Sequence, residues 1–174
     1  MGTINLSVPV LSVVGWANSG KTTFLEKLLT ELKQRGCRVG FIKHHHRGTF
    51  EFDQPGKDTW RMARAGAVCT AVAGPGKVGL VLETETEMGP GEIAALMPGV
   101  DIVITEGYKG ESFPQIEVRR AGYGEERPAA REGQLVAVVG DKLYGGEDVP
   151  CFKIDDISGV ADLILTNYLH RQQI

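Results

Sequence analysis

Gly15-Trp16-Ala17-Asn18-Ser19-Gly20-Lys21-Thr22 fits the spacing G-x-x-x-x-G-K-[ST] at every fixed position. Such a segment can hold a chain of phosphates. Its backbone N–H groups and the positive end of the following helix face the anion, the lysine reaches the outer oxygens, and the threonine offers its hydroxyl to Mg²⁺. Gly15, Asn18, Ser19, Gly20, Lys21, Thr22 and Thr23 are therefore the candidate contacts to a nucleoside triphosphate, with Lys21 also a candidate catalytic group. An apolar run, Val8 to Val14, enters the loop and an amphipathic pattern leaves it, the context the motif requires.

Carboxylates supply the other half of such chemistry. Glu106 closes the apolar run Ile102-Val103-Ile104-Thr105, and ligands of open α/β sheets bind at those strand ends. It is a candidate to hold the Mg²⁺ shell or orient water. Asp101 opens the same run and falls at the opposite edge of the sheet. Asp53 and Asp58 bracket Gln54-Pro55-Gly56-Lys57. Asp53 is read as a metal-proximal or catalytic carboxylate, and Asp58 as a helix cap. Asp141 follows Leu135 to Gly140, where a carboxylate can accept from the ring N–H and exocyclic amine of guanine. Lys142 can stack on the same base, and an ordinary turn residue is the competing reading of Asp141.

His44-His45-His46 invites a metal reading. Consecutive residues of an extended segment point to alternate sides, so at most two can share a ligand, and no carboxylate or thiol completes a compact shell nearby. A place beside the nucleotide is expected instead. Arg61 is read as an exposed helical arginine. Arg119, Arg120, Arg127 and Arg131 concentrate charge in one Gly-rich stretch that reads as a phosphate lid, a docking patch for an anionic cofactor, or a solvated loop.

The elements that must position these groups alternate. Val8–Val14, Arg38–Lys43, Asp101–Gly107, Gln115–Arg119, Leu135–Val139 and Cys151–Ile154 read as strands. Phe24, Leu25, Leu28, Leu29 and Leu32 fall at helical spacing over Thr22–Arg35, with Gly36 as the stop, giving a right-handed βαβ unit around the loop. Lys57–Ala65 and Pro90–Leu96 read as short helices, and Cys69–Ala73 with Val78–Leu82 as a hairpin. Val160, Leu163, Ile164 and Tyr168 mark a closing helix capped by Asp156 or Ser158. The expected architecture is a single domain over residues 1–174, a three-layer α/β sandwich with a mostly parallel central sheet.

Composition agrees with a globular chain: 174 residues, 42% hydrophobic and 24% charged. A net charge of -3 argues against nucleic acid held on a basic surface. Cys37, Cys69 and Cys151 form no C-x-x-C pair, so neither a disulfide framework nor a zinc knuckle is indicated. Met1–Ser7 does not read as a secretory signal and no run is long enough for a bilayer, so a cytoplasmic setting and no membrane partner are expected.

Four stretches together resemble the MobB family: Gly15–Thr22; Lys43–His46 with Asp53-Gln54-Pro55-Gly56-Lys57-Asp58-Thr59; Ala65-Gly66-Ala67; and Thr105-Glu106-Gly107-Tyr108-Lys109 with Pro114-Gln115-Ile116-Glu117-Val118. The resemblance covers the first 120 or so residues well. It implies a phosphate-loop fold and a homodimeric GTP-binding protein with weak GTPase activity. Such a protein would act with the guanylyltransferase MobA, which attaches GMP to molybdopterin. By position, Gly15, Gly20, Lys21 and Thr22 would meet phosphate and Mg²⁺, Asp53 and Glu106 would lie near the metal, and His44–His46 with Lys109 would border the site. A small-molecule kinase, a metal-delivery GTPase and an adaptor with structural nucleotide remain alternatives.

Overall fold

The computed structural model describes residues 8–45, 50–123, 129–142 and 148–169. Its contacts fall into two units, one drawn from Met1–His44 and Pro90–Ile174 and the other from His45–Gly89. His46 and Arg127 lie outside the described residues.

The larger unit is built on a six-stranded parallel sheet. In chain order its strands are β1 (Val10–Val14), β2 (Val39–Lys43), β5 (Ile102–Glu106), β6 (Gln115–Arg119), β7 (Leu135–Gly140) and β8 (Cys151–Lys153). They lie side by side as β2-β5-β1-β6-β7-β8, every adjacent pair parallel. The β1–helix–β2 unit expected from sequence is therefore not a pair of neighbouring strands, because β5 lies between β1 and β2. That insertion sets Glu106 level with Val13 on one side and Lys43 on the other.

β1 is buried along its whole length, which a central strand covered on both faces requires. On one face Leu11, Val13, Ile104, Ile116 and Val139 meet helices α1 (Lys21–Gln34) and α4 (Ile157–Ile164). Helix α1 turns Phe24, Leu25, Leu28 and Leu32 inward, the spacing visible in the sequence. It stops where Gly36, at φ 81, lets the Cys37 amide donate to Leu32 O at 3.0 Å and the Gly36 amide to Lys33 O at 3.0 Å. Arg35 ties the two helices together, donating to Asp162 and to Ser158 Oγ. Helix α4 is capped by Asp156, whose carboxylate accepts from the Gly159 amide at 3.0 Å. On the opposite face the short helix α3 (Pro90–Ala94) covers Val10, Ile42 and Val103. Helices on both faces of one parallel sheet are the three expected layers.

Two polar side chains hang inward from β6. Gln115 and Glu117 are almost fully buried, two residues apart on one face of the strand, while Ile116 and Val118 enter the apolar core opposite. Gln115 Nε2 donates to Lys109 O and Glu111 O, and its Oε1 accepts from the Arg131 amide at 2.7 Å. The Glu117 carboxylate accepts from the amides of Ala129 at 2.7 Å and Ala130 at 3.4 Å, and from Arg119 at 3.0 Å. Each staples a loop to the sheet, so these buried polar groups are satisfied.

The smaller unit holds α2 (Asp58–Arg64) and the antiparallel hairpin of β3 (Cys69–Gly74) and β4 (Lys77–Leu82), closed by Pro75-Gly76. None of its described residues belongs to the buried apolar core. Opposed residues share a face, so Cys69, Ala71, Ala73, Val78, Leu80 and Leu82 form one wholly apolar side. Among the described residues no helix is long and apolar enough to cross a membrane.

Candidate nucleotide-phosphate site

The loop between β1 and α1 is shaped by backbone freedom and a close approach. Asn18 stands at φ 62 and Gly20 at φ 92, left-handed values that asparagine and glycine accept with least strain. The Ser19 amide donates to Trp16 O at 3.2 Å, closing a turn. Gly15 passes so near β6 that a Cβ there would lie 2.5 Å from Val118 O and 2.8 Å from Ser19 Oγ.

Gly20 is the N-cap of α1, and no side chain caps the helix. The first amides of any α-helix lack partners within it, so this end offers donors and a positive dipole to whatever lies in the loop. Ser19 Oγ is buried with no hydrogen-bond partner among the described residues, a hydroxyl whose desolvation is uncompensated. Thr22 and Thr23 are exposed in the first turn. The Lys21 ammonium folds back, donating to Gly15 O at 3.1 Å and Trp16 O at 2.7 Å. Burial holds its pKa below the ordinary lysine value, and the charges of Lys109 and Lys43 push the same way against the opposing pull of Glu106.

Glu106 sits at the carboxyl end of β5, its carboxylate largely buried and 3.7 Å from Lys43 Nζ. Beyond it the chain reverses through Gly107 at φ 100 and Tyr108 at φ 55. A tyrosine in that conformation costs about 1–3 kcal/mol and needs a surrounding structure that over-determines it. Here the Gly107 amide donates to Val13 O at 3.1 Å and the buried Tyr108 ring stacks on His44, centroids 4.3 Å apart at 15°. The reversal carries Lys109 over Trp16, with Nζ 4.4 Å from the ring centroid.

The structure thus brings Gly15, Asn18, Ser19, Gly20, Lys21, Thr22, Thr23 and Glu106 to one edge of the sheet. Asp101 is at the opposite edge, as expected, bonded to the Arg38 amide and guanidinium; those bonds hold its carboxyl below the usual range. Asp53 belongs to the smaller unit, where it accepts from the Gln54 amide at 2.8 Å. There it borders a cleft of about 120 Å³ with Phe52, Thr59, Val72 and Leu80. Asp58 departs from expectation: it is the first residue of α2 and Lys57 is the cap, so its charge favours the helix dipole without a capping bond. Arg61 is exposed in the last turn of the same helix.

Asp141 lies at the end of β7 and both its oxygens accept from the Ala121 amide, at 3.3 and 3.0 Å, a bond to a turn 20 residues earlier in the chain. His44 and His45 engage different rings, Tyr108 and Phe50, and no group of three metal-ligating side chains occurs among the described residues. The arginine-rich stretch acts as a set of local fasteners: Arg119 on Glu117, Arg120 over Tyr123, and Arg131 on Gly110 O and Ser112. Trp16 and Lys43 stand in stretches that the sequence singles out, the loop motif and the Lys43–His46 segment, but without an assigned role. Their only signals were an aromatic in the second loop position and a basic residue ending β2.

A parallel sheet flanked by helices, with a glycine-rich loop joining a central strand to an uncapped helix, defines an α/β protein of the phosphate-loop fold class. Residues 10–141 match the family described as "Molybdopterin guanine dinucleotide synthesis protein B", MobB. The chain is 34% identical over 162 residues to the molybdopterin-guanine dinucleotide biosynthesis adapter protein of Escherichia coli (strain K12), covering 91% of this chain and 92% of that one. It is also 34% identical to the Haemophilus influenzae protein of the same description, covering 96% and 93% of the two chains. The crystal structure of Bacillus subtilis MobB superposes with a TM-score of 0.75 at 29% identity, covering 92% of this chain and 98% of that one. The MobB homolog from Bacillus stearothermophilus gives 0.66 at 30% identity, covering 90% and 95%. The chain belongs to the MobB family.

Proposed function

We propose that this protein is a GTP-binding adapter of molybdopterin-guanine dinucleotide synthesis that hydrolyses GTP slowly and works with the guanylyltransferase MobA in the cytoplasm. The observation that carries the nucleotide reading is the uncapped start of α1 beside Lys21, whose ammonium donates to the carbonyls of its own loop. Ser19 Oγ, buried without a hydrogen-bond partner among the described residues, gives the same loop a second donor for an anion. In this reading Gly15, Asn18, Ser19, Gly20, Lys21, Thr22 and Thr23 take the phosphates. Thr22 and Glu106 present only oxygen, the hard donors that Mg²⁺ selects while it keeps waters and phosphate oxygens in its remaining positions. They would hold the metal, and the ion would neutralise charge developing on the outer phosphate.

Slow turnover follows from the same inventory. Hydrolysis joins a water oxygen to the γ-phosphorus, breaks its bond to the bridging oxygen and yields GDP and phosphate. Glu106 is the carboxylate whose charge acts on the Lys21 ammonium among the described residues. Arg119, Arg120 and Arg131 are engaged with Glu117, Tyr123 and Gly110 O, and this reading assigns no arginine of the chain as a finger. Asp141, at the end of β7, is the residue assigned to guanine selection in this reading.

Calorimetric titration with GTP, ATP and each plus Mg²⁺ tests this. GTP should bind more tightly than ATP, and Lys21→Ala should weaken GTP by about 10- to 100-fold, the worth of one charged hydrogen bond. Equal affinity for ATP would remove the guanine assignment, and an unchanged Lys21→Ala would remove the cradle. Hydrolysis should rise when MobA is added; an unchanged rate would count against a joint action.

The protein is also proposed to be a homodimer, because Val78, Leu80 and Leu82 leave an apolar hairpin face open, and a two-stranded hairpin is marginal by itself. Sedimentation should give twice the chain mass for the wild type and a monomer for Leu80→Lys. A monomeric wild type at tens of micromolar, or a dimeric variant, would sink the idea.

A further inference from the structure

We propose that Lys109 is a second phosphate-binding ammonium, parked on the indole face of Trp16 until the outermost phosphate of a nucleoside triphosphate draws it off, so that the site distinguishes triphosphate from diphosphate. This rests on the phosphate-cradle reading above.

Its position is imposed by the fold. Gly107 and Tyr108 both adopt positive φ at the exit of β5, and the His44–Tyr108 stack and the Gly107–Val13 hydrogen bond fix the reversal on either side. Gln115, itself buried, grips Lys109 O at 3.2 Å, so the backbone at Lys109 is anchored while its side chain is not. A strained, over-determined turn that aims a lysine across the neighbouring strand end is the kind of feature found where a ligand is handled.

The ammonium itself meets no carboxylate in an ion pair among the described residues. Its partner is the face of Trp16, 4.4 Å away, a contact of modest strength at a partly exposed place. Lys21 leans on the same residue through Trp16 O at 2.7 Å. Two ammonium groups therefore converge on one loop residue, with Lys43 a third nearby and Glu106 as the carboxylate among them. Burial lowers the pKa of Lys109 against the opposing pull of the Glu117 charge, and burial lowers that of Lys21, where the Lys109 charge pushes the same way. An anion placed between them relieves both penalties, and a cation–π contact is weak enough to be exchanged for it.

Direction follows from the strand order. Lys109 reaches the loop from the end of β5, the strand beside β1, and lies over Trp16 at the second loop position, four residues ahead of Gly20, where the amides opening α1 would take the inner phosphates. The outermost phosphate is then the group within its sweep.

The test uses the full chain with Trp60→Phe, which leaves Trp16 as the sole fluorophore of its kind and removes an indole N–H that is buried without a partner among the described residues. In this parent, GTP should change Trp16 emission and GDP should change it little, because only GTP lifts the cation from the ring. Adding Lys109→Gln should weaken GTP by about tenfold or more, leave GDP within about threefold, and abolish the emission change. Lys109→Arg should keep most of the GTP affinity. If Lys109→Gln lowers GTP and GDP affinity equally, or neither, while the parent binds both, the Lys109 assignment is overturned and the cradle stands. If the parent binds neither nucleotide, both fall together.

Discussion

Gly15→Ala is expected to lose about 100-fold or more in GTP affinity, or to melt roughly 6–12 °C below the wild type, or to divide one penalty between the two. The added methyl would sit 2.5 Å from Val118 O, and that oxygen is backbone of a strand held between β1 and β7. β6 therefore cannot yield as the tip of a flexible side chain would. The loop is also at φ 154, where a side chain adds strain. Overpacking of about 1–3 kcal/mol and backbone strain of about 1–3 kcal/mol together reach roughly 3 kcal/mol or more. If the loop stays in place the cost appears as lost stability. If it moves away from β6, its amides no longer converge and the cost appears as lost binding. A variant with unchanged melting and GTP affinity within threefold of wild type would refute this account of the loop.

Glu117→Ala should destabilise the fold by about 3 kcal/mol with the phosphate loop itself untouched. The carboxylate is almost fully buried and gathers the amides of Ala129 and Ala130 and the Arg119 guanidinium. Truncation strands the buried Ala129 amide at about 1–3 kcal/mol, loosens the half-buried Ala130 amide and removes the charge facing Arg119. Glu117→Gln should cost less, because its oxygen can still accept from Ala129 while its NH₂ faces a guanidinium that only donates. Combining Glu117→Ala with Arg119→Met should cost less than the sum of the two single changes, since their mutual contact is then lost only once. Urea unfolding of the four proteins measures the coupling. A Glu117→Ala midpoint indistinguishable from wild type, or strictly additive changes in the double variant, would show that the staple contributes nothing.

The two experiments probe different origins of the site. Gly15 belongs to a local motif in which a short stretch of backbone does most of the work, so residue types and spacing suffice to announce it. The same holds for α1, whose buried stripe and glycine stop are set by one turn-to-turn repeat. It holds too for β1 and β5, which are apolar enough to be recognised as central strands. Asp58 shows the limit of such reading: a helix boundary displaced by one residue turns an expected cap into a first-turn charge. Asp141 shows another, since the Ala121 amide that it accepts comes from a turn far away in sequence.

Residue order alone determined that this chain has a central strand, a glycine-rich loop and an amphipathic helix in succession, and that Glu106 ends a buried strand, because each of those depends on neighbours within one or two turns. Only the folded molecule decided that β5 slides between β1 and β2, that Gln115 and Glu117 are interior fasteners, and that Lys109 lies over Trp16. Those outcomes depend on pairings between residues distant along the chain, where hydrogen-bond register and packing select one arrangement among many that the local pattern allows.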